Sequence, residues 1–121
     1  MKEEQAPVLF VQLIDLASRL TASFRNREIE RTGLPAMEEH FRQLIEPLEE
    51  PTIVIDFSGV VFLPTTGLGT LVAINKWVRE RNGQLCLANL VPQICEMLAI
   101  SRLDQILQVF ENSESALASF G

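Results

Sequence analysis

Residues 53–72 read IVIDFSGVVFLPTTGLGTLV and join a strand, a turn and the start of a helix. The first part, Ile53–Ile55, is a β-branched run that is apolar on both faces, as in a central strand covered from both sides. Turn-forming residues follow within Asp56–Gly59. A helical pattern begins at the two threonines and continues to Arg81. This order of elements predicts an α/β fold in which a buried strand leads into a helix.

Two threonines, Thr65 and Thr66, stand where this helix is predicted to begin. Either hydroxyl can cap the helix by accepting a hydrogen bond from an early backbone N–H. The same helix start presents unpaired N–H groups and the positive end of the helix dipole, which together favour an added phosphate. Capping threonines are common, so the spacing alone predicts a cap.

The stretch resembles the STAS domain and, within that family, the bacterial anti-sigma factor antagonists, whose signature here is Asp-Ser-Ser-Gly-Leu-Gly after a hydrophobic strand. Thr65 falls on the first serine, which a partner kinase phosphorylates and a phosphatase dephosphorylates in the family. Thr66 falls on the second serine, and Gly67–Gly69 on the Gly-Leu-Gly. Pro64 replaces the aspartate, which belongs to the surface on which the kinase acts. The resemblance thus implies Thr65 as the phosphorylation site.

The resemblance also implies a STAS-like mixed β-sheet with helices packed mainly on one side. The implied function is a regulatory module that, when unphosphorylated, captures an anti-sigma factor and frees a sigma factor. The implied partners are an anti-sigma serine/threonine kinase of histidine-kinase-like fold and a PP2C-type phosphatase. Two alternatives stay open: a STAS subunit that docks on a transporter ATPase or signalling scaffold without phosphorylation, and a small-ligand or nucleotide sensor that uses the same loop.

An acidic residue of the family near the phosphorylation site matches Glu30, because Glu28-Ile29-Glu30 occupies the place of its Glu-Leu-Asp. Arg27 stands where the family has glycine. The resemblance implies that Glu30 takes part in partner contact. Glu30 as an ordinary solvated carboxylate is the equally weighted alternative.

Length and charge bound the remaining possibilities. A chain of 121 residues, 47% of them hydrophobic, predicts one globular domain over residues 1–121. The net charge of −6 argues against binding to nucleic acid or to an anionic membrane. The apolar runs are too short to span a bilayer, and Met1–Glu4 lacks the features of a secretory signal. A cytoplasmic location is therefore expected.

The helix after the central strand carries more apolar surface than a helix on one side of a sheet needs. Beside its main stripe runs a second one, formed by Thr70, Ala73, Ile74 and Trp77. This surplus predicts an exposed partner surface next to Thr65 and Thr66. Packing of Trp77 against a neighbouring helix is the alternative. The complete set of predicted partner-binding residues is Glu30, Pro64, Gly67, Thr70, Ile74 and Trp77.

Other elements follow from periodicity and turn residues. The resemblance favours an N-terminal hairpin, and an amphipathic helix is predicted to end at Pro47. The predicted elements are strands at Val8–Ile14, Arg19–Arg25, Gln84–Ala88 and Ile106–Phe110, and helices from Leu34, from Pro92 and from a capping Ser113.

Catalysis by the chain itself is not expected, and neither is a cofactor or a metal. The sequence has no Ser-His-Asp context, no phosphate loop and no metal-ligand cluster, and His40 is predicted to be solvated. Asp56 and Ser58 are predicted to satisfy backbone groups of the loop. Cys86 and Cys95 are predicted to be free, buried thiols.

Overall fold

Five strands form one sheet in the same order as along the chain. The structure, a computed structural model, describes residues 9–15, 19–24, 29 and 31–119. The strands β1 and β2 pair antiparallel, and the following strands add in parallel, each beside the one before it. The strands are β1 (Leu9–Asp15), β2 (Arg19–Phe24), β3 (Thr52–Asp56), β4 (Gln84–Ala88) and β5 (Gln108–Phe110).

The helices connect the parallel strands. A short 3₁₀ turn, Arg31–Gly33, leads into the first helix. Because crossovers between parallel strands are almost always right-handed, strands that add in chain order place their connecting helices on one face. The helices are α1 (Leu34–Ile45), α2 (Thr66–Glu80), α3 (Pro92–Ile100) and α4 (Ser113–Ala118), of which the last follows β5.

The hydrophobic core lies mainly on the face that α1, α2 and α3 cover. There Ile53 and Ile55 of β3 pack with Leu85 and Leu87 of β4 and with the apolar sides of the three helices. The opposite face carries a smaller cluster, in which Ala116 of α4 packs on the sheet. Both faces of β3 are fully buried. The predicted mixed sheet with helices mainly on one side, and its central buried strand, are therefore confirmed.

Several predicted boundaries hold. Strand β4 has the predicted limits, and α1 ends at Ile45, shortly before Pro47. The N-terminal hairpin is present, with Leu9 opposite Phe24. The predicted outer ends of that hairpin, Val8 and Arg25, lie outside the described residues.

Two predictions near the C-terminus are wrong. Strand β5 begins at Gln108 instead of Ile106, because the backbone N–H groups of Ile106 and Leu107 bond to the carbonyl of Leu103 in a 3₁₀ turn. Helix α4 is capped by Asn112, whose Oδ1 accepts from the backbone N–H of Ser115 at 2.7 Å. Ser113 is already the first helical residue, so its backbone is past the position from which a side chain caps.

The two cysteines are free, but they differ in exposure. Cys86 is buried in β4, where burial raises the pKa of its thiol to about 11. Cys95 is exposed on α3, contrary to the prediction, because the buried side of that helix is formed by Ile94 and Leu98. Of the two thiols, only that of Cys86 is shielded from solvent by the fold.

Candidate functional site: the loop before helix α2

A carboxylate at the end of β3 organises the loop. Asp56 Oδ1 accepts from the backbone N–H of Ser58 at 2.9 Å and from its hydroxyl at 2.7 Å. It also accepts from Nδ2 of Asn89, which follows β4, at 2.9 Å. Burial raises the pKa of Asp56, but the hydrogen bonds from Asn89 and Ser58 outweigh it and leave the pKa below its usual value. The prediction that Asp56 satisfies a backbone group of this loop is confirmed, whereas the Ser58 hydroxyl bonds to the Asp56 carboxylate instead of a backbone group.

The turn after β3 is anchored in the core. Phe57 and Val60 are fully buried, and the N–H of Val60 bonds to the carbonyl of Phe57 at 2.9 Å. Between them Gly59 has a φ of +83°, a conformation that side chains rarely allow. The backbone N–H of Phe57 bonds to Ala88 at the end of β4. The start of the loop is therefore fixed to two strands.

The segment before the threonines, Val60–Leu63, is buried at its two ends and exposed in the middle. Leu63 is buried, whereas Val61 is 39% and Phe62 51% exposed. The carbonyl of Phe62 accepts from the N–H of the buried Ile29 at 3.0 Å. This bond holds the backbone in place while the two apolar side chains point outward beside the helix start.

Both threonines are exposed, and the predicted capping role is wrong. Thr65 is the N-cap residue, yet its backbone is helical (φ −55°, ψ −37°) and its side chain makes no capping bond. A capping side chain needs an extended N-cap backbone, which Thr65 lacks. Backbone carbonyls take over, because Gly67 N–H bonds to Pro64 at 2.8 Å and Leu68 N–H to Thr65 at 3.0 Å. The Thr65 hydroxyl is thus left without the bond that a cap would give it.

The two glycines that follow serve different purposes. A Cβ at Gly67 would lie 2.6 Å from Cδ1 of Leu63, so glycine there permits the close approach of α2 to the loop. A Cβ at Gly69 would meet nothing within 4 Å. Gly67 is buried and Gly69 exposed. Gly67 is therefore explained by packing, whereas the absence of a side chain at Gly69 leaves open space on the outer surface of α2.

The prediction of an exposed second stripe on α2 is wrong for two of its members. Thr70 is 3% exposed and Ile74 is fully buried. Helix α1 covers this side, and the Thr70 hydroxyl donates to Oε2 of Glu38 at 3.0 Å. Periodicity gave the angle of these residues around the helix but not the side on which α1 packs.

Trp77 is packed against the protein and not exposed as a partner surface, as the alternative interpretation expected. It is half-buried and packs against the main core. It lines a groove of about 340 Å³ between the C-terminal ends of α1 and α2. There the Arg81 guanidinium donates to the carbonyl of Glu46, and the Arg42 guanidinium is paired with Glu39.

The solvent side of α2 carries residues that the sequence analysis did not single out. At about 100° per residue, Thr65, Gly69, Val72 and Lys76 share one side of the helix. Val72 is 36% exposed. Val61 and Phe62, which precede Thr65 in the loop, are exposed as well. The four-residue apolar run Val60–Leu63 was the available signal, and only its two outer residues are buried.

The predicted site residues therefore separate into two groups. Pro64, Thr65, Thr66 and Gly67 come together at the helix start, whereas Thr70, Ile74 and Trp77 lie on the α1-facing and buried side. Glu30 lies outside the described residues.

A metal-binding cluster and a membrane-spanning helix are both absent from the residues that the structure describes. There, no group of three or more His, Cys, Asp or Glu side chains could hold a metal ion. No helix in that part of the chain has both the length and the hydropathy needed to cross a bilayer.

Comparison with known proteins supports the resemblance. The family model of the STAS domain matches residues 6–116. The anti-sigma F factor antagonist of Paenibacillus polymyxa is 25% identical over 65 residues, which are 54% of this chain and 56% of that protein. The chain thus spans just over half the length of this curated relative.

Two solved structures share the fold. An anti-sigma-factor antagonist (STAS) domain protein of Planctomyces limnophilus matches with a TM-score of 0.81 and 20% identity, over 93% of this chain and 97% of that one. The Bacillus cell fate determinant SpoIIAA in its phosphorylated form matches with a TM-score of 0.71 and 14% identity, over 94% and 100%. The chain belongs to the STAS domain family and resembles its anti-sigma factor antagonists.

Proposed function

We propose that this chain is a regulatory binding module that captures an anti-sigma factor and thereby frees a sigma factor. The docking site is the switch surface, which we define as Val61, Phe62, Pro64, Thr65, Gly69 and Val72. A contiguous exposed apolar patch rimmed by polar residues is typical of protein-binding sites. The relative from Paenibacillus polymyxa, by its name, antagonises such a factor. The proposal assigns no catalysis to the chain and places it in the cytoplasm.

The observation that carries the switching part of the proposal is the state of Thr65. Its hydroxyl is exposed and makes no capping bond, and it lies at the positive end of the α2 dipole. In the proposed reaction a partner kinase transfers the γ-phosphoryl group of ATP to Thr65 Oγ1. The bond from γ-phosphorus to the bridging oxygen breaks, ADP leaves and the hydroxyl proton is released. A PP2C-type phosphatase reverses the state by hydrolysis.

Phosphate on Thr65 would release the partner for electrostatic reasons. It adds about two negative charges in the middle of the apolar switch surface. Docking would then require those charges to lose their hydration, which is costly unless the partner supplies cations. The chain already carries a net charge of −6, so an acidic partner surface would also be repelled.

Pro64 is the departure from the family signature that bears most on switching. It is half-buried, and its carbonyl accepts from Gly67, so proline keeps the turn that begins α2. It supplies no charge to a kinase. We therefore propose that phosphorylation is slow and that the chain is mostly in its binding-competent form. Docking on a transporter ATPase or scaffold without any phosphorylation is the competing proposal, and the same departure favours it.

The test is affinity capture from a lysate of the source organism. Immobilised wild type and Thr65→Ala should both retain an ATPase of histidine-kinase-like fold, and Thr65→Glu should lose it. Gln105→Glu is the matched control, since it adds the same charge at an exposed position in the turn before β5. Retention of a transporter ATPase instead, or equal capture by Thr65→Glu and Gln105→Glu, would refute the proposal.

A further inference from the structure

The two candidate acceptors point in different directions around α2. Thr66 and Thr70 are one turn apart and therefore lie on nearly the same side of the helix. Thr65 is displaced from Thr66 by about 100° and from Thr70 by about 140°, toward the solvent side. Gly69 leaves the space beside Thr65 open. The chain thus offers two neighbouring hydroxyl groups in two distinct environments.

A carboxylate from another helix is bound one turn along α2 from Thr66. Glu38 of α1 accepts a hydrogen bond from the Thr70 hydroxyl at 3.0 Å. Thr66 lies about 6 Å from Thr70 along the helix axis, and side chains on a helix lean toward its N-terminus. Among the described residues, no cation lies within ion-pair distance of Glu38. Its negative charge is therefore not neutralised by a neighbouring cation in the described part of the chain.

A negative charge on Thr66 would be repelled by Glu38, whereas a negative charge on Thr65 would not. A phosphate on Thr66 would lie one helical turn from Thr70, whose hydroxyl binds the Glu38 carboxylate, and the two negative charges would repel each other. A phosphate on Thr65 would project into solvent away from α1, where it retains the favourable helix dipole and avoids Glu38.

We propose that Glu38 is a specificity-determining residue that excludes negative charge from Thr66 and so confines phosphorylation to Thr65. The inference rests on the proposed function, because it concerns the acceptor of the same phosphoryl group from ATP. Glu38 acts through its charge and does not touch the reacting atoms. Its interaction with Thr70 fixes the carboxylate in this position.

The electrostatic part is tested without any partner, by a double-mutant cycle on melting temperature. Thr66→Glu should lower the melting temperature more in the wild-type background than with Glu38→Gln, by on the order of 2–4 °C. Glutamine can still accept from Thr70, so the substitution removes charge and keeps the hydrogen bond. Thr65→Glu should show no such difference. Equal effects of Thr66→Glu in both backgrounds, or equal coupling at Thr65, would overturn the inference.

Acceptor choice is then tested with the captured kinase and ATP, by mapping phosphopeptides. Wild type should carry phosphate on Thr65 alone, and Glu38→Gln should add a second site at Thr66. Glu46→Gln, which removes a charge at the far end of α1, should behave as wild type. Phosphate on Thr66 in a Thr65→Ala variant with Glu38 intact would refute the inference. A kinase that labels none of the variants would refute the proposed switch, whereas the melting cycle still decides the role of Glu38.

Discussion

The two flanks of helix α2 differ in what covers them. The flank toward α1 carries Thr70, which is buried and bonded to Glu38, and leads on to the half-buried Trp77. The solvent flank carries Thr65, Gly69 and a partly exposed Val72. In the sequence the first flank has the more apolar residues, yet the second is the one open to a partner. Apolar content therefore located the core contact of this helix and not the surface that we propose for docking.

Truncation of one residue on each side of α2 should give the largest difference in the free energy of unfolding. Ile74→Ala should lower the free energy of unfolding by about 2–5 kcal/mol, because it leaves a cavity at a fully buried position. Val72→Ala should change it by less than about 0.5 kcal/mol, but it should weaken partner binding. Urea denaturation and a binding titration measure the two quantities. Similar losses of stability for both variants would break the distinction between the flanks.

The two glycines of α2 provide a second contrast. Gly67→Ala should cost about 1–3 kcal/mol, because the new methyl group meets Leu63 in a packed contact. Gly69→Ala should raise stability by about 0.5–1 kcal/mol, since alanine favours the helix and the space there is open. Thermal unfolding distinguishes them by sign. A stabilising Gly67→Ala would mean that the loop moves away from α2 at little cost.

The sequence predicted those parts of the fold and of the site that depend on local composition, and it failed where tertiary packing decides. The β-branched run predicted strand β3, and Gln84–Ala88 was predicted with its correct limits, because both depend on local composition. The cap of α4 was misassigned because Asn112 and Ser113 are both good caps, and only the backbone geometry chooses between them. The exposure of Thr70 and Ile74 was misjudged because it depends on where α1 packs, which periodicity within α2 does not contain.

Trp77→Ala refines the comparison further. The sequence pattern predicted an exposed Trp77, but a half-buried Trp77 packed on the core should cost about 2 kcal/mol when truncated, less than the roughly 3–5 kcal/mol of a fully buried one. Partner binding by the folded variant should be retained, because Trp77 lies outside the switch surface. A normal melting temperature combined with lost binding would instead identify Trp77 as a docking residue.

The smallest expected effect on the fold comes from Pro64→Asp, which should change the kinetics of the switch. An aspartate restores the family signature and offers charge to the kinase, so the rate of phosphate incorporation should rise while partner binding persists. Thr65→Ala, which lacks the predicted acceptor hydroxyl, is the negative control under the same conditions. If wild type stays unlabelled like Thr65→Ala and only Pro64→Asp gains label, the natural chain is a docking module without a switch.

Hydrogen exchange of the chain with its captured partner tests most directly which flank docks. We expect slowed amide exchange in peptides from residues 58–72, which contain the switch surface. Peptides from residues 41–47 and 76–83, which line the groove beside Trp77, should exchange as in the free chain. Protection confined to those two groove segments, with residues 58–72 unchanged, would contradict the central claim that the partner binds at the start of α2.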